Sequence, residues 1–289
     1  MSQLSKKAML VKLSISQWST NKFDKKVTEA IHQSHKAGND AGRYTKRLVA
    51  KSTVETIKKT ANEARTFHYE QTLPWKDDGY RMLPSANYMD YTKEIRKLKS
   101  RFTRAVHDFV AQYPMAVTEA KKILNGMFDA ADYPVPSDIQ DKYDFVNEVL
   151  PLPDESDFRV SLQANEMSRI RRDMKRTIEQ AQKSAMDDLW NRLYKVVEHA
   201  NERLKDPKAV FRDSLIDNAR ELVKLLPRLN VTNDKDLADM AKEVQKNIGQ
   251  YQPDELRKSK KLRKKVAKSA EGMLDDMANK MAGYTGGDK

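Results

Sequence analysis

Apolar residues recur at steps of three and four as Met167, Ile170, Met174, Ile178, Ala181, Ala185, Leu189, Leu193, Val196, Ala200 and Leu204. That rhythm keeps one stripe on one side of an α-helix. From Leu162 no glycine or proline interrupts the run until Pro207, which predicts a helix on the order of 60 Å long. A second stripe, Tyr88, Tyr91, Ile95, Leu98, Phe102, Ala105 and Phe109, alternates steps of three and four. Such alternation favours packing along another helix at a shallow, coiled-coil-like angle. Pro114 is expected to break this helix and to open another that ends near Met127-Phe128.

Near the start the period changes to two. Met9, Val11, Leu13 and Ile15 alternate with Leu10, Lys12, Ser14 and Ser16, the pattern of a strand with one buried face. Trp18 follows where the strand leaves the sheet. Asp24 can cap a short helix carrying Val27 and Ile31, ended by Gly38-Asn39-Asp40. A second strand is expected over Tyr44–Ala50. Ser52-Thr53-Val54-Glu55 then reads as a capping box opening a helix with Val54, Ile57, Ala61, Ala64 and Phe67 on one side. Pro74 to Gly79 forms a turn, and Tyr80-Arg81-Met82-Leu83 a third strand.

From Asp129 to Asp157 four prolines lie among nine acidic residues, with a strand expected around Tyr143–Leu150. After the long helix the pattern is helical only. Asp206-Pro207 opens a helix through Leu226 that Pro227 stops. Asn233 caps another, with Leu237, Met240, Ala241, Val244 and Ile248, and Gly249 beyond its end. Pro253 opens a last helix with Leu256, Leu262, Val266, Met273 and Met277. The predicted fold is therefore predominantly α with a small antiparallel sheet in the N-terminal half (α+β) and an elongated helical C-terminal half. Residues 1–160 form the α+β domain, 161–282 the helical domain and 283–289 a flexible tail.

The 289 residues are 39% hydrophobic and 33% charged, with mean hydropathy −0.81. Long helices that expose much surface account for those figures better than disorder does, given the regular periodicity. The net charge is +12, which favours a polyanionic partner. It is unevenly distributed. Residues 1–104 hold 22 Lys and Arg against 10 Asp and Glu; residues 105–160 hold 4 against 11; residues 161–289 hold 28 against 21. An even solubilising dressing would not divide this way.

No cysteine occurs, so a disulfide frame, thiolate nucleophile and zinc knuckle are excluded. No apolar run reaches the roughly 20 residues of a membrane span, and the start lacks the apolar core of a signal peptide. The expectation is a cytoplasmic protein without a membrane partner. Glu29-x-x-His32-x-x-His35 sets three metal-type side chains on neighbouring turns. It lacks both the i, i+4 histidine pair and a fourth ligand, so a solvated helix face accounts for it and no metal is expected. His68, His107 and His199 are isolated. Asp77-Asp78 and Asp154-Glu155 sit in turn-like sequence, where acids serve the backbone. Neither a Walker-type loop nor G-x-G-x-x-G nor G-x-S-x-G is present. With nine glycines in the chain, no catalytic residue or cofactor is expected, and the chain reads as a non-enzyme.

Positive charge carries the functional reading. Arg169, Arg172, Lys175 and Arg176 cluster at the start of the long helix, with Arg169, Arg172 and Arg176 on one face able to follow a phosphate backbone. The Tyr88–Phe109 stripe is flanked by Lys93, Arg96, Lys97, Lys99, Arg101 and Arg104, of which Lys97, Arg101 and Arg104 are taken as contact residues. Arg257 to Lys268 holds eight basic residues in twelve; Lys261, Lys264, Lys265 and Lys268 form a stripe, with the others around the cylinder. Such faces bind by counterion release and read little sequence. Trp75, Tyr80 and Tyr88 lie near basic residues, where they could stack on bases, although core packing is the simpler role.

Leu10-Val-Lys-Leu13-Ser-Ile15-Ser-Gln-Trp18, then Tyr80-Arg81-Met82-Leu83-Pro84, a long helix, and an aromatic–proline segment closing on Asp157-Phe158-Arg159-Val160 follow in a definite order. Over roughly residues 8–205 this order resembles an uncharacterised family of phages and bacteria. Its genes often neighbour those for MoxR-type AAA+ ATPases and von Willebrand A proteins. The chain has Asp77-Asp78-Gly79 where that family has Gly-Gly before the tyrosine. The resemblance implies a phage or mobile-element origin, with the host cytoplasm as the location if the chain is phage-encoded, and an ATPase-adaptor role. Two functions are thus expected in competition. One is a phage-type, non-enzymatic nucleic-acid-binding protein, with DNA favoured over RNA. The other is an interaction or adaptor subunit of a larger assembly or of an AAA+ ATPase, with an AAA+ ATPase or a homo-oligomer as the partner. Local pairing of the Arg169–Arg176 cluster with Asp154, Glu155 and Asp157 is the plain structural alternative.

Overall fold

The computed structural model describes residues 4–76, 78–154, 163–206 and 208–285, with side chains to residue 282. Of the described residues 69% are helical, with a small antiparallel sheet in the N-terminal half and a long helical C-terminal region. It forms two compact units that interleave along the sequence. One comprises 1–12, 69–91 and 149–289; the other comprises 13–68 and 92–148. The expected boundary near residue 160 lies outside the described residues.

The four-stranded sheet has the order β4-β5-β1-β6, from β1 (Ala8–Ser16), β4 (Leu73–Pro74), β5 (Arg81–Pro84) and β6 (Asp144–Pro151). Strand β5 pairs antiparallel with β1, Ala8 opposite Pro84, and with β4, Leu73 opposite Met82. The alternation expected in β1 is only partly kept. Ala8, Leu10 and Val11 are buried while Met9, Leu13 and Ile15 are half-buried, so both faces of the strand's first half are covered. The second expected strand is β3 (Thr45–Arg47), which pairs with β2 (Asn21–Phe23) in a separate two-stranded ribbon.

In the second unit Asp24 caps α1 (Lys25–His35), its carboxylate accepting from the Val27 N–H at 3.1 Å. Helix α2 (Glu55–Gln71) starts without the expected capping box. A 3₁₀ turn over Lys51–Val54 precedes it, and the Ser52 carbonyl takes the Glu55 N–H, so the first donors are already served. Helix α3 runs unbroken from Tyr88 to Leu124 through Pro114, against the expected break. Pro114 lies on the exposed face, where water can hydrate the carbonyl that loses its donor. Tyr113, Ala116 and Ala120 on the buried face hold both halves in register. Trp18, Phe102, Phe109, Tyr113, Tyr143 and Phe145 make successive ring contacts at 5.7–6.4 Å. Burial pushes the Tyr113 hydroxyl up to about 12, and it donates to the Pro134 carbonyl at 3.0 Å. A short α4 (Pro136–Gln140) leads into β6.

In the first unit the long helix is α5 (Ala164–Lys205), 42 residues. Its stripe is buried from Ile178 onward, with Met186, Trp190 and Val197 joining and Val197 replacing Val196 as the inward residue. It packs against α6 (Ser214–Leu229), α7 (Lys235–Val244) and, most extensively, α9 (Lys260–Thr285). Helix α6 starts later than expected and passes Pro227, which sits exposed in its last turn, while Leu226 and Leu229 beside it are buried and hold the helix in place. Pro207 lies outside the described residues. The N-cap of α7 is Asp234, accepting from the Leu237 N–H at 3.1 Å, while Asn233 adopts a left-handed φ of 58°. The last expected helix is two, α8 (Pro253–Lys258) and α9, parted at Ser259, whose hydroxyl accepts from the Leu262 N–H. Helix α9 continues to Thr285; the rest of the expected tail, 286–289, lies outside the described residues.

Candidate functional site

Ser259 sets the orientation of the densest basic run. Once α9 begins there, Arg263, Val266, Ala267 and Ala270 face inward and are buried, while Lys260, Lys261, Lys264, Lys265 and Lys268 are exposed. The cluster expected around the whole cylinder is therefore one-sided, because Arg263 is turned into the protein. Its Nη2 donates to the carbonyls of Arg203 (2.8 Å), Asp206 and Ala209 (3.1 Å) at the end of α5. Its guanidinium lies 5.3 Å from the Phe211 ring, which Arg257 flanks at 5.1 Å. Arg257 is held by Asp254 at 2.8 Å and by Asp213. Both arginines are structural.

The lysines are not. Among the described residues no carboxylate lies within 4 Å of Lys260, Lys261, Lys264, Lys265 or Lys268, and the same holds for Lys258 on α8. The first turn of α9 contains no acidic residue, so cations crowd the positive end of a helix dipole and repel one another at i, i+4 spacing.

At the start of α5, Arg169, Arg172, Lys175 and Arg176 are all exposed. Arg169 lies 3.5 Å from Glu166, Lys175 4.0 Å from Glu179, and Arg176 4.0 Å from Asp173. These are loose pairs within one exposed helix, worth little in water. Arg172 has no ion pair among the described residues. Asp154, one of the acids proposed to neutralise this cluster, is buried and accepts from the Ser5 hydroxyl at 3.0 Å; Glu155 and Asp157 lie outside the described residues.

On α3 the three selected cations diverge. Lys97 pairs with Glu94 at 3.3 Å and Arg101 with Glu63 of α2 at 2.8 Å. Arg104 has no carboxylate partner among the described residues and lines a shallow trough with Arg96, Lys99, Ser100, Thr103 and His107. Arg96 and Lys99 were not selected from the sequence. Spacing alone does not find them: Lys97, Arg101 and Arg104 are the set four and three apart, and Arg96 and Lys99 join Arg104 only through the trough that they line.

Elsewhere arginine serves backbone carbonyls. Arg192 takes those of Tyr69, Glu70 and Thr72 at 2.8–2.9 Å, closing the end of α2, and Arg220 takes Gly249 and Tyr251 at 2.7 and 2.9 Å. Trp75 is core, and Tyr80 is half-buried beneath the Lys12 ammonium at 5.1 Å. The Asp78 carboxylate accepts from the Tyr80 N–H, as a turn residue does. Among the described residues no group of three His, Asp or Glu side chains is placed to hold a metal, and no helix is long and apolar enough to cross a membrane.

A buried ionic cluster ties the second unit together. Lys46 lies 3.1 Å from Asp24 and 2.8 Å from Asp132, and donates to the Met127 carbonyl at 2.7 Å. The Val27 N–H, then Lys46, holds Asp24 below its ordinary value against the opposing effect of burial. Burial would raise Asp132, but Lys22 and Lys46 outweigh it and lower it. Burial would likewise lower Lys46, yet the two carboxylates raise it. With each charge paired, this cluster is structural.

The apolar stripes that suggested an uncovered partner face are closed within the chain: Tyr91, Ile95, Leu98, Phe102 and Phe109 are buried, as is α5 from Ile178. Tyr88, Met167, Ile170, Met174 and Val196 stay half-buried. No protein-family model, curated protein or solved structure matches the chain, so the functional reading rests on the residues themselves.

Proposed function

We propose that this chain is a non-enzymatic nucleic-acid-binding protein that holds phosphates with lysine-rich helix faces and reads little base sequence. The observation that carries the reading is the outer face of α9, where Lys260, Lys261, Lys264, Lys265 and Lys268 are exposed without carboxylate partners among the described residues. Lys261 to Lys268 spans about 10 Å of helix axis, the reach of about three phosphates on one strand of a duplex. Flexible ammonium groups suit non-specific backbone contact, since they act as point charges without fixed geometry. A merely soluble surface would intersperse acids, and here the acids lie elsewhere.

The test is fluorescence anisotropy with a labelled 30-nucleotide DNA, single-stranded and duplex, titrated from 50 to 200 mM salt. If all five lysines contact a duplex, their share of the salt slope is about 4.5, equal to about 500-fold in affinity across that range. Replacing the five with glutamine removes that share. Binding that ignores salt, or a variant with the wild-type slope, overturns the proposal.

A further inference from the structure

We infer that the second compact unit carries its own phosphate-backbone site, the trough on α3 formed by Arg96, Lys99 and Arg104 with Thr103 and His107 at its side. This deepens the nucleic-acid reading and rests on it. The occupant is a single nucleic-acid strand or one strand of a duplex, contacted through successive phosphates.

Charge sorting is the first argument. Helix α3 presents a mixed polar surface, and the carboxylates nearest the trough, two on α3 and one on α2, have other neighbours. Glu94 takes Lys97, Glu63 takes Arg101, and Asp108 lies 3.7 Å from the His107 ring. Arg96, Lys99 and Arg104 are exposed with no carboxylate within 4 Å among the described residues. A strip of cations is thus left beside pairs that are already neutral.

Geometry is the second. Arg96 and Arg104 are eight positions apart, about 12 Å along the axis, which covers three to four phosphates at about 3.4 Å per strand step. Two guanidinium groups flanking an ammonium offer bidentate donors at the ends of that span. The Thr103 hydroxyl adds a neutral donor, whereas Ser100 already donates to the Arg96 carbonyl at 3.0 Å.

Rigidity is the third. The opposite face of the same turns is Leu98, Phe102, Ala105, Val106 and Phe109, all buried, with Phe102 and Phe109 in the aromatic cluster. The cations therefore project from a fixed platform, which lowers the ordering cost on binding.

The experiment compares two charge-matched triple variants by the same salt-titrated anisotropy. One is Arg96→Gln/Lys99→Gln/Arg104→Gln. The other is Lys25→Gln/Lys97→Gln/Arg101→Gln, whose cations all pair with carboxylates in this unit. The first should lower the duplex salt slope by about 2.7 and weaken binding by about 500-fold at 0.1 M salt. The second should leave the slope within about 0.5 of wild type. Thermal melting of both checks that the fold is intact. Equal losses in the two variants, or an unchanged slope in the first while wild type responds to salt, overturn this site alone. A wild type that shows no salt-dependent binding overturns both this site and the nucleic-acid reading.

Discussion

Replacing Arg263 with methionine keeps most of the side-chain volume and removes every donor that closes the end of α5. The carbonyls of Arg203, Asp206 and Ala209 then lose a charged partner inside a region where Arg263 itself is only 6% exposed. One nitrogen has two hydrogens, so the three contacts amount to about two full bonds. At about 1.5–3 kcal/mol for each bond to a charged group, with partial rehydration of the carbonyls, the expected cost is about 3 kcal/mol. A urea m-value near 2 kcal/mol/M turns this into a midpoint lowered by about 1.5 M. Trp75 and Trp190 both belong to the unit that contains Arg263 and Trp18 to the other, so fluorescence in a Trp18→Phe background reports the relevant transition. Lys264→Gln, one residue on and exposed, should move that midpoint by less than 0.2 M. It should instead weaken DNA binding. A midpoint shift below about 0.3 M for Arg263→Met, or equal shifts for both variants, would refute the assignment of Arg263 to structure and Lys264 to the surface.

Two further outcomes follow from the electrostatics. Asp24 and Asp132 are lowered in the folded state, so their contribution is present above the ordinary carboxylate range and is lost as pH falls through their depressed values. Trp18 fluorescence in urea should therefore show acid-labile stability that Asp132→Asn largely removes, and that variant should be weaker at pH 7 by about 3 kcal/mol because Lys46 stays buried with one counter-charge fewer; a pH profile unchanged by the substitution would count against it. Lys260→Glu/Lys261→Glu should raise the melting temperature at 20 mM salt, and the gain should shrink at 500 mM, since it relieves cation crowding at a helix N-terminus. Destabilisation by this pair at low salt would contradict the picture of a face kept basic at the expense of stability.

Much of the helical framework was readable from periodicity. The Ile178–Leu204 stripe and the Tyr91–Phe109 stripe are both buried as their spacing requires, and Asp24 caps α1 as its position before Val27 suggests. The errors fall where one residue type has two physical outcomes. Pro114 and Pro227 read as stops, yet both sit exposed while buried neighbours, Tyr113 and Ala116 or Leu226 and Leu229, hold the helix through them. Ser52 and Glu55 matched a capping box, but a preceding 3₁₀ turn had already supplied the acceptor. On α3, Lys97, Arg101 and Arg104 looked equivalent until Glu94 and Glu63 claimed the first two.

A stripe of one period depends only on repeated backbone geometry, so local order alone specifies which face of α3, α5 or α9 is apolar. Net charge and its division into zones are likewise additive properties of composition. Which cation in Arg257–Lys268 turns inward is different in kind. It depends on carbonyls that α5 presents some sixty residues earlier and on the break at Ser259 that rotates α9 toward them. The same holds for the interleaved units, because segments around residues 10, 80 and 150 join the C-terminal helices only through contacts distant in sequence. Within Arg257–Lys268 the arginines, with their planar forks, are drawn to carbonyls and carboxylates, and the lysines are left at the surface. The charge that remains free to meet a polyanion was settled by that partition, which no local pattern encodes.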